Sequence, residues 1–239
     1  MKKGAKIGII VGVIAVIIIG IIGTVGYMFF NDTMQKAKIV DEFAQLEQLT
    51  KNGNFELDQL KEKTSNIVTT GKYASVEKAA KNYATELFTT AFELRALLED
   101  EKMAKLLTAE NYETDGPEFT ETKKYISEKK TNLEEKKAQM LTYFDEGKIN
   151  SYIEAETTDE SCVSLYKELL AQDIKMSDAE KKELETSIDK VISMLGTEEE
   201  VINFLIENKG KWEVKNNQVM FNNNSLVIKY NSFLTKLRI

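Results

Sequence analysis

Two Ser-x-x-Lys spacings, Ser75 with Lys78 and Ser127 with Lys130, are the closest this chain comes to a nucleophile with its base. In penicillin-binding enzymes that spacing works together with Ser-Asp-Asn and Lys-Thr-Gly elements, and both are missing here. Ser75 has the character of a helix N-cap and Ser127 falls on a solvated helix, so neither pair reads as a catalytic dyad. The sequence contains no histidine. That removes Ser-His and Cys-His nucleophilic schemes together with His-containing zinc sites. Cys162 is the lone cysteine, which rules out an internal disulfide or a thiolate cluster and reads as a small buried hydrophobe. The 39 carboxylates would suffice for two-carboxylate glycoside hydrolysis. They lie mainly on the solvent faces of amphipathic helices, however, and no spacing selects a pair. EF-hand spacing, a GxxxxGK[ST] phosphate loop and a GxGxxG fingerprint are all absent. No catalytic, cofactor-binding or metal-ligating residue is therefore assigned; the expectation is a non-enzyme with no cofactor, with an unrecognised carboxylate-based enzyme as the minor rival.

One spacing with physical meaning lies at the N-terminus. Gly4, Gly8 and Gly12 make two overlapping small-xxx-small steps, which let two membrane helices approach closely. They sit at the start of the strongest signal in the chain. No charged residue occurs between Lys6 and Asp32, and Ile7 to Phe30 is a 24-residue apolar run. Such a run makes roughly 36 Å of helix, enough to cross a hydrocarbon core of about 30 Å. Backbone in lipid must satisfy its own hydrogen bonds, so the run is predicted helical despite its glycines and β-branched residues. A cleaved signal peptide is the competing reading. The run is too long for a usual apolar region of a signal, and no small-x-small cleavage site follows. Lys2, Lys3 and Lys6 precede the run and Asp32 follows it, placing the N-terminus in the cytoplasm. The predicted organisation is a cytoplasmic tail at 1–6, a signal-anchor transmembrane helix at 7–30, a helical stalk at 31–53 and an extracytoplasmic helical domain at 54–239.

Beyond Lys6 the chain carries 29 basic and 39 acidic residues. That surface repels nucleic acid and anionic lipid. Thirty of the basic residues are Lys and two are Arg, a bias that matches an AT-rich bacterial genome. A lysine stripe at Lys123, Lys130 and Lys137 could contact an anionic polymer. Neighbouring glutamates, as in Lys124 with Glu128 and Lys130 with Glu134, make a solvated helix face the simpler reading.

A single proline and few glycines beyond the anchor predict long helices. Val40, Phe43, Leu46 and Leu49 carry the helical period outward to about Thr50. Leu57, Leu60, Thr64, Ile67 and Val68 mark a second helix ending near Gly71. Ser75 is the predicted cap of a core helix through Val76, Ala80, Tyr83, Leu87, Ala91, Leu94 and Leu98. A short helix near Met103 to Leu107 precedes a loop from Ala109 to Pro117. Pro117 then starts a helix over Glu118 to Glu146, with Phe119, Ile126, Leu133 and Met140 as a seven-residue apolar seam. Capping boxes at Ser177–Glu180 and Thr197–Glu200 predict two helices separated at Gly196. Alternation around Asn216-Asn217 predicts a β-hairpin at about 211–221, and Ser225 the cap of a final helix.

The fold class expected is mainly all-α: one N-terminal transmembrane helix, then an extracytoplasmic bundle with one small hairpin. The function expected is a single-pass envelope protein of the cell membrane that works by scaffolding or accessory interaction. Its partners would be the lipid bilayer and a protein, with self-association through the Gly4, Gly8 and Gly12 face. The alternative is an extracytoplasmic ligand-binding or sensor subunit. Met1 to Lys6 is too short for an output domain, so such a subunit would signal through a membrane partner.

Overall fold

The computed structural model describes residues 38, 41, 42, 44, 45, 57–168 and 176–237. The tail at 1–6, the apolar run at 7–30 with Gly4, Gly8 and Gly12, and most of the stalk at 31–53 lie outside them. Among the described residues no helix is long and apolar enough to cross a membrane. The described part is mostly helical, with a two-stranded antiparallel hairpin near the C-terminus. Its helices are α1 (Leu57–Ser65), α2 (Lys72–Leu98), α3 (Glu101–Lys105), α4 (Ala109–Thr114), α5 (Thr120–Thr142), α6 (Glu146–Glu156), α7 (Glu160–Tyr166), α8 (Asp178–Glu207) and α9 (Asn224–Lys236). Strands β1 (Trp212–Lys215) and β2 (Gln218–Phe221) lie between the last two helices.

The chain divides into two compact units, one from 12–95 and 136–184 and the other from 96–135 and 185–239, each taken over its described residues. In the first, Val76, Ala80, Tyr83, Leu87, Ala91 and Leu94 of α2 are all buried, so the predicted stripe is the core face. Full burial of one such leucine contributes about 1.5–3 kcal/mol. Tyr83 forms edge contacts with Tyr143 and Tyr152 and donates to the Tyr143 carbonyl at 3.0 Å. Tyr166 donates to the Ile149 carbonyl at 3.0 Å. Buried phenols are costly without partners, and these have them.

The same unit buries charge. Lys81 and Glu77 are fully buried and paired at 2.7 Å. Glu42 adds a second carboxylate to Lys81 at 2.9 Å, and the Asn66 carbonyl accepts from it at 2.5 Å. Glu77 in turn accepts from the amides of Val68 and Thr69 and from the Thr69 hydroxyl at 2.6 Å. Burial pushes the Glu77 carboxyl up, but Lys81, Thr69 and Val68 together hold it below the usual glutamate value. The predicted helix to Gly71 ends instead at Ser65, and 66–70 is an irregular loop whose Val68 and Thr69 amides donate to Glu77. Ser75 is inside α2 rather than its cap. Gly71, at φ +62°, supplies the left-handed residue just before the helix.

In the second unit, Phe119, Ile126 and Leu133 are fully buried, as the seven-residue seam predicts. Several boundaries differ from the sequence reading. The expected loop from Ala109 contains α4, because the Thr108 side chain accepts from the Asn111 amide and caps a helix that buries Tyr112. Helix α8 runs unbroken through Gly196, and Thr197 donates to the Ser193 carbonyl at 3.2 Å instead of closing a capping box. The apolar stripe of Ile188, Val191, Leu195, Val201, Ile202 and Leu205 continues across that glycine and outweighs its helix penalty of about 1 kcal/mol. The Ser177–Glu180 box, at the start of α8 in the first unit, forms as predicted, with Glu180 accepting from both the Ser177 amide and hydroxyl.

The hairpin is in the predicted place. Asn216 and Asn217 both adopt positive φ, 51° and 60°, which is the backbone a two-residue turn of primed type needs. Trp212 pairs with Phe221, Glu213 with Met220, Val214 with Val219 and Lys215 with Gln218. Asn223, not Ser225, caps α9, its side chain accepting from the Ser225 amide at 2.7 Å.

Candidate functional site

A cleft of about 420 Å³ opens in the second unit between the α4 end and the base of the hairpin. Tyr112, Glu113, Gly116 and Pro117 form one wall; Lys209, Gly210, Trp212 and Val214 form the other. The walls are built on an aromatic knot. Phe119 stacks on Trp212 with centroids 5.9 Å apart, and Tyr112 meets both rings edge-on at 5.6 and 6.1 Å. The Trp212 indole N–H donates to the Leu205 carbonyl at 2.8 Å, fixing the ring to α8. The Tyr112 and Tyr230 hydroxyls share a hydrogen bond of 3.1 Å, tying α4 to α9. Burial, then Tyr230 and Glu198, push the Tyr112 phenol far above its ordinary range, so it stays protonated.

The turn from Asp115 to Phe119 closes the lower wall. Phe119 has φ +52°, an uncommon backbone for a bulky side chain, and full burial of its ring holds it there. Gly116 is required for a different reason: a Cβ at this position would lie 2.4 Å from the Tyr112 carbonyl oxygen and 3.1 Å from the Trp212 ring. Pro117 does not start the helix as the sequence suggested. Asp115 does that work, accepting from the Glu121 amide at 3.2 Å and the Thr122 amide at 2.7 Å. Burial raises the Asp115 carboxyl, but the bonds from Thr122 and Glu121 together hold it below the usual value.

Of the charged groups at the cleft, Lys209 is engaged by Glu118. Glu113 is exposed and has no ion pair or hydrogen bond among the described residues. A second cluster lies elsewhere in the unit: Asp100 accepts from Tyr125 at 2.7 Å and Lys129 at 2.8 Å, with Lys102 over the Tyr125 ring. Burial works against ionisation of Asp100, yet Lys129, Tyr125 and the Lys102 amide bring it down to about 2. Its carboxylate caps α3, so the cluster is accounted for as structure.

No protein-family model, curated protein or solved structure matches the chain.

The serine–lysine spacings are not brought into use: Lys78 pairs with Glu156 at 2.8 Å and Lys130 with Glu199 at 3.2 Å. Lys130 thus reaches α8 rather than the Glu134 proposed from spacing. Cys162 is buried, its thiol 3.7 Å from the Lys72 carbonyl. Among the described residues no group of acidic and thiol side chains is arranged to hold a metal ion. The cleft itself was not among the sequence candidates. The predicted hairpin at about 211–221 places Trp212 on a strand, and its open side carried no signal in the sequence. The cleft lining comes from two segments nearly a hundred positions apart, 112–117 and 209–214.

Proposed function

We propose that the chain is a membrane-tethered, non-catalytic docking protein that holds a partner protein against the helical part outside the membrane. The tether is the apolar run from Ile7 to Phe30, with the N-terminus in the cytoplasm and the Gly4, Gly8 and Gly12 face available to a second membrane helix. The observation that carries the docking role is the Tyr112–Trp212 cleft. Its aromatic walls are fixed by their own hydrogen bonds, and Glu113 is the charged group of its lining without a partner among the described residues. Rigid aromatic walls with a polar margin are a binding design, because the ordering cost is met before the partner arrives. In-cell crosslinking through a photoreactive residue at position 117 tests it. A discrete crosslinked complex with another protein is expected; recovery of the free monomer alone refutes the reading. Activity of a reporter fused after Ile239 on the cytoplasmic side would refute the tethered orientation.

The cleft volume also lies within the range of small-molecule sites, which supports the alternative of a ligand-binding subunit acting through a membrane partner. A reproducible rise in melting temperature with an envelope metabolite, without any protein crosslink, would favour it.

A further inference from the structure

Backbone geometry and charge at the cleft point to one kind of occupant. In an antiparallel hairpin closed by a two-residue turn, residue pairs alternate between those that exchange hydrogen bonds and those that do not. Lys215 and Gln218 flank the turn and form a bonded pair, as do Glu213 and Met220. The series continues to Lys211, whose carbonyl accepts from the Asn222 amide at 3.0 Å. Trp212 and Val214 are therefore the unbonded positions. Their N–H and C=O groups point away from β2, toward the free edge of β1. They are also the two strand residues that line the cleft, whereas no residue of β2 does. Among the described residues none of these four backbone groups has a backbone partner. A free strand edge beside a groove is a template for an added strand.

Charge selects the added strand. Lys209 is neutralised by Glu118, and Asp115 is occupied by the α5 amides, so the uncompensated charge in the cleft is Glu113. Trp212 is part-exposed beside it, with Tyr112 buried behind, and an aromatic face with a carboxylate favours an organic cation. The net charge of the chain, −7, adds long-range attraction for a basic partner.

We propose that the cleft seats an extended basic segment of the partner protein, which pairs with the β1 edge at Trp212 and Val214 and places a lysine or arginine side chain between Trp212 and Glu113. This rests on the docking reading above and specifies its partner.

Trp212 is the only tryptophan, so its emission reports on this site alone. Full-length protein in detergent is titrated with acetyl-Lys-Thr-Lys-Thr-Lys-Thr-amide and with its glutamate counterpart, following Trp212 emission. Saturable binding of the lysine peptide at least tenfold tighter than the glutamate peptide is expected. E113Q should weaken it fivefold or more. V214P should abolish it, because a proline there deletes only the outward N–H and none within the hairpin. Should V214P unfold the hairpin, the lysine peptide methylated on its backbone nitrogens supplies the same test on intact protein, and it should fail to bind. Equal binding of both peptides, an unchanged affinity in E113Q, or full binding by the methylated peptide overturns the proposal. Crosslinks to a cellular partner that survive in E113Q and V214P would overturn it too, while leaving the docking role standing on another surface.

Discussion

Replacing Lys81 with Met tests whether buried charge holds the first unit together. Lys81 and Glu77 are both fully buried at 2.7 Å, with Glu42 2.9 Å from the same ammonium. Removing one member of a buried pair leaves an uncompensated charge and typically costs about 3–5 kcal/mol. Glu77 keeps three hydrogen-bond donors from Val68 and Thr69 in K81M, so the lower end, about 3 kcal/mol, applies. Urea unfolding reads this directly: with a slope of about 2 kcal/mol per molar, the midpoint should fall by roughly 1.5 M. The double variant E77Q/K81M removes both charges and should recover about half of the loss, roughly 1.5 kcal/mol. The pH dependence has a fixed sign. Glu77 titrates below its ordinary value of 4.5 in the folded protein, so its pairing stabilises above that value and is lost as pH falls through the folded one. The deficit of K81M should accordingly shrink in acid, where Glu77 is neutral in both proteins. A midpoint within 0.3 M of the parent, or a double variant at least as unstable as K81M alone, would refute the reasoning.

Gly196 stands inside α8 with open space where a Cβ would sit, so G196A should stabilise by about 0.5–1 kcal/mol; a lower melting temperature would show that the helix breaks there after all. G116A should destabilise by about 1–3 kcal/mol and red-shift Trp212 emission, since the added carbon meets the Tyr112 backbone carbonyl rather than a movable side chain. D100N retains a competent helix cap but loses the charge facing Lys129. Asp100 is depressed from about 3.8 to about 2, so the parent loses this contribution as pH falls between those values, and the acid limb of the stability profile should flatten there in D100N.

Helix content, the hairpin and the seam of α5 were legible because each rests on periodicity: Phe119, Ile126 and Leu133 recur every seven residues and all are fully buried. The break expected at Gly196 is missing because packing outweighs capping there. Thr197-Glu198-Glu199-Glu200 has the spacing of a capping box, but burial of Val201 and Leu205 on the stripe begun by Ile188 keeps the helix intact, and local capping is the weaker effect. Buried charge was illegible for a different reason. Glu77 and Lys81 at i,i+4 look like any solvated helix pair, and only the loop at 66–69 folding over them makes them interior. Lys129 is hidden in the same way, by Asp100 twenty-nine positions away. The cleft demanded the most of tertiary structure, because the strand register that frees the Trp212 and Val214 amides has no meaning until α4 and the Gly116 turn stand opposite them.

The groups around the cleft fall into two sets, and the division supports a docking role over accidental surface relief. The Tyr112 hydroxyl, the Trp212 indole N–H, the Asp115 carboxylate and the Lys209 ammonium each have a partner within the fold. They fix the walls. The Glu113 carboxylate and the outward amides and carbonyls of Trp212 and Val214 have none among the described residues. A surface groove left by imperfect packing would mix engaged and idle groups at random. Here every polar side chain of the aromatic knot is held, and what stays open is one anion beside one strand edge. That arrangement satisfies the requirement for preorganised recognition: rotamers locked from behind, with hydrogen-bonding capacity directed outward. It also explains why a bulky Phe119 is kept at positive φ. Moving it to relaxed backbone would withdraw the ring on which Trp212 stacks, and the Trp212 wall would lose its backing.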